Sequence, residues 1–206
     1  MRLLLVRHGA TLNNIEARYT GQSDVELSAS GARQARLLGA RLATETFDAI
    51  VSSDLCRARA TAEAVAGYHG LPVWEDADLR EFSLGAWEEM PYAEVKARDA
   101  ALLDRWRNDP EHTAPPGGET GAQVRDRVIQ ALERWQAQYP KGTVLWVTHG
   151  GTIGVLLCHL LGMELRRRNQ FRFANASITE LKLGDQLAIL KYCNDTAHLR
   201  DVNPVS

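Results

Sequence analysis

Residues 3–9 read Leu3-Leu4-Leu5-Val6-Arg7-His8-Gly9, an apolar run that stops at a cation, an imidazole and a glycine. A short continuous apolar run of this kind is what a strand buried on both faces presents. The design recurs at residues 143–151, Thr143-Val144-Leu145-Trp146-Val147-Thr148-His149-Gly150-Gly151. Two buried strands that each end in His-Gly suit an open α/β sheet, where ligands bind outside the carboxyl ends of the strands. Both histidines are therefore expected to face one crevice.

Working outward, apolar and polar segments alternate along the chain. Ala35, Leu38 and Leu42 fall on one face of a helix over residues 28–43, with Ser28 or Ser30 as its cap. Residues 47–51 read as a second strand, and Ser52-Ser53-Asp54 offers capping side chains to a helix over 55–66. Residues 71–74 form a short strand. An acidic loop, 75–89, follows, anchored by Leu79 and Phe82. A helical pattern covers 92–107, and Pro110 with Pro115-Pro116-Gly117-Gly118 marks a loop. Val124, Val128, Leu132 and Trp135 line one face of a helix over 120–138, and residues 151–161 make a last helix behind the late strand. Gly184-Asp185 separates two apolar runs as a hairpin turn would. The expected fold is α/β: a three-layer sandwich with a mostly parallel sheet, one antiparallel strand and helices on both faces. We expect a single domain over 1–206 with a small helical cap inserted at about 83–118.

The composition narrows the function classes. With 206 residues, 45% of them apolar, the chain can bury a substantial core. A net charge of −2 gives no reason to expect nucleic-acid or membrane-surface partners. No apolar stretch approaches the roughly 18 residues of a membrane span. Arg7 and His8 interrupt the opening run too early for a signal peptide. Three cysteines without pairing or metal-type spacing fit a reducing compartment, and the cytoplasm is the expected location. Arg166-Arg167-Arg168 reads as a solvated helix end or loop, Arg59 as a surface residue, and His69, His112, His159 and His198 as structural or surface histidines. The edge-like strand in the tail leaves a homodimer open.

Four segments carry a resemblance. Arg7-His8-Gly9-Ala10-Thr11-Leu12-Asn13-Asn14, with Arg18-Tyr19-Thr20-Gly21 and Asp24 to Ser28 behind it, resembles the signature of the histidine phosphatase superfamily, in the branch of phosphoglycerate mutases and small-molecule phosphatases. Ser52 to Ala58 with Thr61-Ala62 resembles the second motif of that family. Leu79-Arg80-Glu81 with Gly85-Ala86-Trp87-Glu88 resembles its acid-bearing loop, and Val147 to Gly151 its last motif. The motifs stand in the family's order. Glu89 departs from it, because those phosphatases commonly place glycine after Trp-Glu.

The residues themselves support such chemistry. A dianionic phosphate monoester repels a nucleophile until cations neutralise its oxygens, and Arg7 and Arg57 can do so through planar, bidentate hydrogen bonds. His8 offers one neutral ring nitrogen to phosphorus while the other holds the tautomer. The resemblance implies a phosphohistidine at His8, with His149 as the second imidazole on the phosphoryl oxygens. Glu81 is the expected general acid, protonating the leaving oxygen and then accepting a proton from water. Asn14, Thr20 and Gly21 match positions that line phosphate or substrate in relatives, and the Gly150 N–H is a further donor at a helix start. No histidine pairs with carboxylates at metal-ligand spacing. No metal and no cofactor is expected, since two arginines and two histidines supply the charge.

The expected activity is metal-independent hydrolysis of a small phosphorylated metabolite, α-ribazole 5′-phosphate being one candidate. One alternative is a 2,3-bisphosphoglycerate-dependent mutase, although the Arg-His-Tyr-Gly-like run of those enzymes is missing after Glu81. A non-catalytic phosphate-binding module is the other.

Overall fold

The computed structural model describes residues 1–184 and 187–200. In chain order it contains β1 (Arg2–Arg7), α1 (Leu12–Ile15), α2 (Ala29–Leu42), β2 (Ala49–Ser52), α3 (Cys56–Ala66), β3 (Val73–Glu75), α4 (Tyr92–Arg98), α5 (Ala100–Asn108), α6 (Gly121–Gln138), β4 (Thr143–Thr148), α7 (Gly150–Leu160), β5 (Ile178–Leu183) and β6 (Ala188–Asp195). The six strands form one sheet in the order β3-β2-β4-β1-β5-β6. β1, β2, β3 and β4 pair in parallel, while β5 pairs antiparallel with both β1 and β6. Among the described residues β5 is thus the one strand that runs against the rest.

The apolar run of β1 explains the layering. Successive side chains of a strand point to opposite faces. Leu3 and Leu5 join a core with Val124, Val128, Ile153 and Leu157 of α6 and α7. Leu4 and Val6 join the opposite core with Leu38, Leu42, Ala58 and Val65 of α2 and α3. All four are fully buried, and each contributes roughly 1.5–3 kcal/mol relative to exposure.

The helix ends follow the expectations at α2 and depart from them further along the chain. Ser28 caps α2 by accepting the Gly31 N–H at 3.1 Å, and Thr120 forms a capping box with Gln123 on α6. At α3, however, the Cys56 N–H is taken by Asp24 Oδ1 at 2.8 Å, from a loop 32 residues earlier. Ser53 accepts only the Leu55 N–H, and Asp54 turns instead to Arg80. The expected single helix over 92–107 is broken at Asp99, whose φ of −123° and ψ of 32° are non-helical. The Asp99 carboxylate accepts the indole N–H of buried Trp87 at 2.7 Å, and that bond and Arg98 hold its pKa down. Val95 and Leu103 of the two short helices join the α6–α7 core. In the tail hairpin Leu183 pairs with Ala188 and the Gly184 N–H donates to Leu187 O. Asp185 of the expected turn, and Gln186, lie outside the described residues.

The backbone shows why glycine suits the position of Glu89. Its φ is +63°, in the left-handed region where glycine is at ease and other residues are strained. The loop is held there by its backbone, since the Glu89 N–H donates to Tyr19 O at 2.6 Å and Glu89 O accepts from Arg18 at 2.9 Å. We therefore expect Glu89→Gly to leave folding unchanged or raise stability by up to about 1 kcal/mol in chemical denaturation. A loss of that size would show that the Glu89 side chain holds the loop.

Candidate active site

The register of β1 and β4 brings the two histidines together. Arg7 pairs with Thr148, and the His8 N–H donates to Thr148 O at 2.9 Å, so the residues that follow each strand leave the sheet side by side. The imidazole centroids of His8 and His149 are 5.0 Å apart, and both rings are buried. His8 Nδ1 lies 2.7 Å from Gly9 O. A carbonyl only accepts, so that nitrogen carries the proton and Nε2 keeps its lone pair. His149 is fixed from the other side. The Ser53 hydroxyl accepts from the Leu55 N–H and lies 3.0 Å from His149 Nε2. With the hydroxyl proton given to Nε2, the His149 Nδ1–H becomes a buried donor without a partner.

Arg7, His8, Asn14, Thr20, Gly21, Arg57 and Glu81 line one cavity of about 170 Å³. Several of its donors are unspent. Arg7 gives an Nη1 hydrogen bond to Phe173 O, and Arg57 gives two, to Gly21 O at 2.7 Å and Ser23 O at 2.8 Å. The Nε of each arginine is buried without a partner, and so is Thr20 Oγ1. Asn14 Oδ1 accepts from the Thr11 N–H and from Asn175 Nδ2, both at 3.1 Å, which turns its own Nδ2 donors away from them. Native proteins rarely leave buried donors unsatisfied, and several of them on the residues of one cavity suit an anion. Gly21 serves through its carbonyl. It adopts φ +55°, and a Cβ there would lie 2.3 Å from the Glu88 carboxylate.

Glu81 stands across the cavity at the start of α7. Its Oε2 accepts the Gly151 N–H and its Oε1 the Phe82 N–H, both at 3.0 Å. Here the helix start serves the carboxylate, while Gly150 lines an adjoining hollow with Arg7 and Glu81. The loop bearing Glu81 is held by residues the sequence did not single out. Arg127 of α6 donates to the carbonyls of Asp78, Arg80 and Glu81 at 2.7–2.9 Å and pairs with Glu119. Glu119 also accepts the Ser83 N–H at 2.8 Å. Thr148 and Thr152 give their hydroxyls to Leu79 O and Arg80 O.

Two surface expectations divide. Arg59 is half-exposed and meets Glu63 and Glu75. The basic run is different: Arg166 and Arg167 are exposed, but Arg168 is buried against Phe82 and Trp106. Among the described residues no cluster of three or more His, Cys, Asp or Glu is placed to hold a metal, and no helix is long and apolar enough to cross a membrane.

The pattern of the histidine phosphatase superfamily (branch 1) matches residues 3–196. The adenosylcobalamin/alpha-ribazole phosphatase of Escherichia coli (strain K12) is 32% identical over 197 residues, covering 96% of this chain and 97% of the relative. A probable phosphoglycerate mutase, GpmB, of Yersinia enterocolitica is 33% identical over 205 residues, covering 97% and 95%. The solved structure of a mycobacterial glucosyl-3-phosphoglycerate phosphatase complexed with VO3 superimposes with a TM-score of 0.88 at 33% identity, over 95% of this chain and 99% of that one. The chain belongs to the histidine phosphatase superfamily. Its fold is phosphoglycerate mutase-like, and the protein is a phosphatase.

Electrostatics keep the imidazoles of this histidine phosphatase neutral. Burial pushes the His8 pKa well below its ordinary value, and Arg57 and Arg7 push it further. Burial, then Arg57, does the same to His149. Both shifts are downward, so the unfolded chain binds protons that the folded chain refuses. The stability contributed by the neutral rings is complete above about pH 6.5 and is lost as the pH falls below it. We expect urea-unfolding free energy to drop between pH 7 and pH 5, with a limiting slope of about 1.4 kcal/mol per pH unit for each histidine. A flat profile over that range would contradict the neutral pair.

Proposed function

We propose that this phosphatase hydrolyses phosphomonoesters of small metabolites, without a metal, through a phosphohistidine on His8. The observation that carries the reading is the set of unpartnered buried polar atoms, Arg7 Nε, Arg57 Nε and Thr20 Oγ1 on residues that line the cavity and His149 Nδ1 on the neighbouring imidazole, beside a histidine whose Nε2 is unprotonated. Phosphoryl oxygens supply the acceptors these groups lack. His8 Nε2 attacks phosphorus, the bond to the leaving oxygen breaks, and Glu81 gives that oxygen its proton. Water then attacks the phosphohistidine, Glu81 takes the water's proton, and cleavage of the P–N bond returns inorganic phosphate and neutral His8. Arg7, Arg57 and His149 bind the charge that concentrates on the phosphoryl oxygens in both steps.

The similarity to the Escherichia coli alpha-ribazole phosphatase supports α-ribazole 5′-phosphate as the first metabolite to test. The similarity to GpmB supports a second reading, phosphoglycerate mutase activity. The two separate when phosphate release is compared with interconversion of 3- and 2-phosphoglycerate. Faster interconversion would select the mutase.

We expect His8→Ala to lower kcat/KM for p-nitrophenyl phosphate by at least about 10³-fold with the melting temperature retained. Near wild-type activity would exclude His8 as nucleophile. Glu81→Gln should cost about 10²–10⁴-fold and accumulate labelled phosphoryl enzyme that is stable in alkali and labile in acid. Incubation with EDTA should leave the rate unchanged, and a rate lost to EDTA and restored by a divalent cation would refute the metal-free mechanism.

A further inference from the structure

Arg168 is the member of the basic run that the fold removes from water. It is 4% exposed, its Cζ lies 4.8 Å from the Trp106 ring centroid and 5.6 Å from that of Phe82, and it lines the cavity that contains His8. Its hydrogen bonding is poor. Nη2 reaches Trp106 O at a long 3.4 Å, and Nη1 is buried without a partner. Other arginines near the core meet carboxylates: Arg2 pairs with Glu45 and Glu180, and Arg127 with Glu119. Among the described residues Arg168 forms no ion pair. It shares that state with Arg7 and Arg57, which line the same cavity. Burial pushes its pKa down to about 10, and the nearby charges of Cys158 and Glu81 offset that only in part.

A buried cation that no carboxylate touches is costly unless a ligand brings an opposite charge into contact. The position of Arg168 indicates which part of a ligand that is. It packs on Phe82, the neighbour of Glu81, and Glu81 is the group proposed to protonate the leaving oxygen. Arg168 also lines the adjoining hollow of about 240 Å³ with Arg7 and Glu81, and the two hollows together stand at the small end of the usual 300–1,000 Å³ of ligand pockets, which suits a compact leaving group. The rings of Trp106 and Phe82 pack on the guanidinium and offer it no acceptor, so the unpartnered Nη1 keeps donors of the kind a carboxylate accepts.

We infer that Arg168 is a leaving-group subsite for a second anionic group on a compact phosphomonoester, a carboxylate in the first instance. The inference rests on the phosphomonoesterase reading above. It favours phosphorylated hydroxy or amino acids over esters whose leaving group is neutral.

The test compares 3-phosphoglycerate with glycerol 3-phosphate, which differ in having a carboxylate or a hydroxymethyl group, together with propane-1,3-diol bisphosphate and p-nitrophenyl phosphate. Wild-type enzyme should prefer 3-phosphoglycerate to glycerol 3-phosphate in kcat/KM. Arg168→Met, which keeps an apolar stem over Trp106, should lower kcat/KM for 3-phosphoglycerate by about 10- to 100-fold, mainly through KM, and change glycerol 3-phosphate and p-nitrophenyl phosphate less than about threefold. Greater loss on the bisphosphate than on 3-phosphoglycerate would replace the carboxylate by a second phosphate and overturn the first assignment. Equal loss on all four substrates, or a wild-type enzyme indifferent to the carboxylate, would overturn the subsite. Should Arg168→Met fail to fold, Arg168→Lys retains charge without the planar fork and should show a smaller loss with the same selectivity; a loss without selectivity again counts against the subsite. A wild-type enzyme inactive on p-nitrophenyl phosphate and free of phosphohistidine would instead defeat the underlying reading.

Discussion

The parallel pairing of β1 with β4 is the constraint on which the rest depends. One ladder sets Arg7 against Thr148 and carries on into the bond from the His8 N–H to Thr148 O. A slip of one residue would exchange the inward and outward faces of β1 and separate the imidazoles. Such a slip would also drive Leu3 and Leu5 toward the core built for Leu4 and Val6. The packing that protects the hydrophobic layers therefore protects the alignment of the histidines, and no additional device is needed.

Around that fixed pair the site is assembled from loops, each fastened by charge-bearing side chains to distant backbone. Arg57 holds the carbonyls of Gly21 and Ser23, Arg127 those of the Glu81 loop, and Glu88 takes the Gln22 and Leu84 N–H groups. A lost anchor is therefore felt in the cavity through displacement of Glu81 or Gly21. Arg57 divides its donors: its Nη atoms brace a loop while its Nε is left buried without a partner.

Much of this was legible in the sequence because buried strands and capped helices have local patterns. The apolar runs ending at His8 and His149, the α2 face of Ala35, Leu38 and Leu42, and the anchors Leu79 and Phe82 all lie where the pattern puts them. What escaped was non-local. Asp24 caps α3 from another loop, Asp99 breaks a helix to receive an indole N–H from Trp87, and Asn175 orients Asn14 across the chain. None of these has a periodicity to betray it. Arg168 was misread for a related reason: three consecutive arginines look solvated, and only the tertiary placement of Trp106 and Phe82 distinguishes the third.

The division between ladder and loops bears on how the molecule breathes. Backbone bonds of buried central strands open only with large-scale unfolding, whereas exposed loops open locally and often. The amide of His8 belongs to the first class, being bonded to Thr148 O between buried neighbours, and the chain near Glu16 and Arg18 lies on the surface. The His8 backbone thus belongs to a part of the protein that opens only with large-scale unfolding, while Arg18, on the rim of the cavity, belongs to a part that opens locally. Sequence change in that rim can reshape the mouth of the cavity while the β1–β4 ladder and the paired imidazoles stay in place.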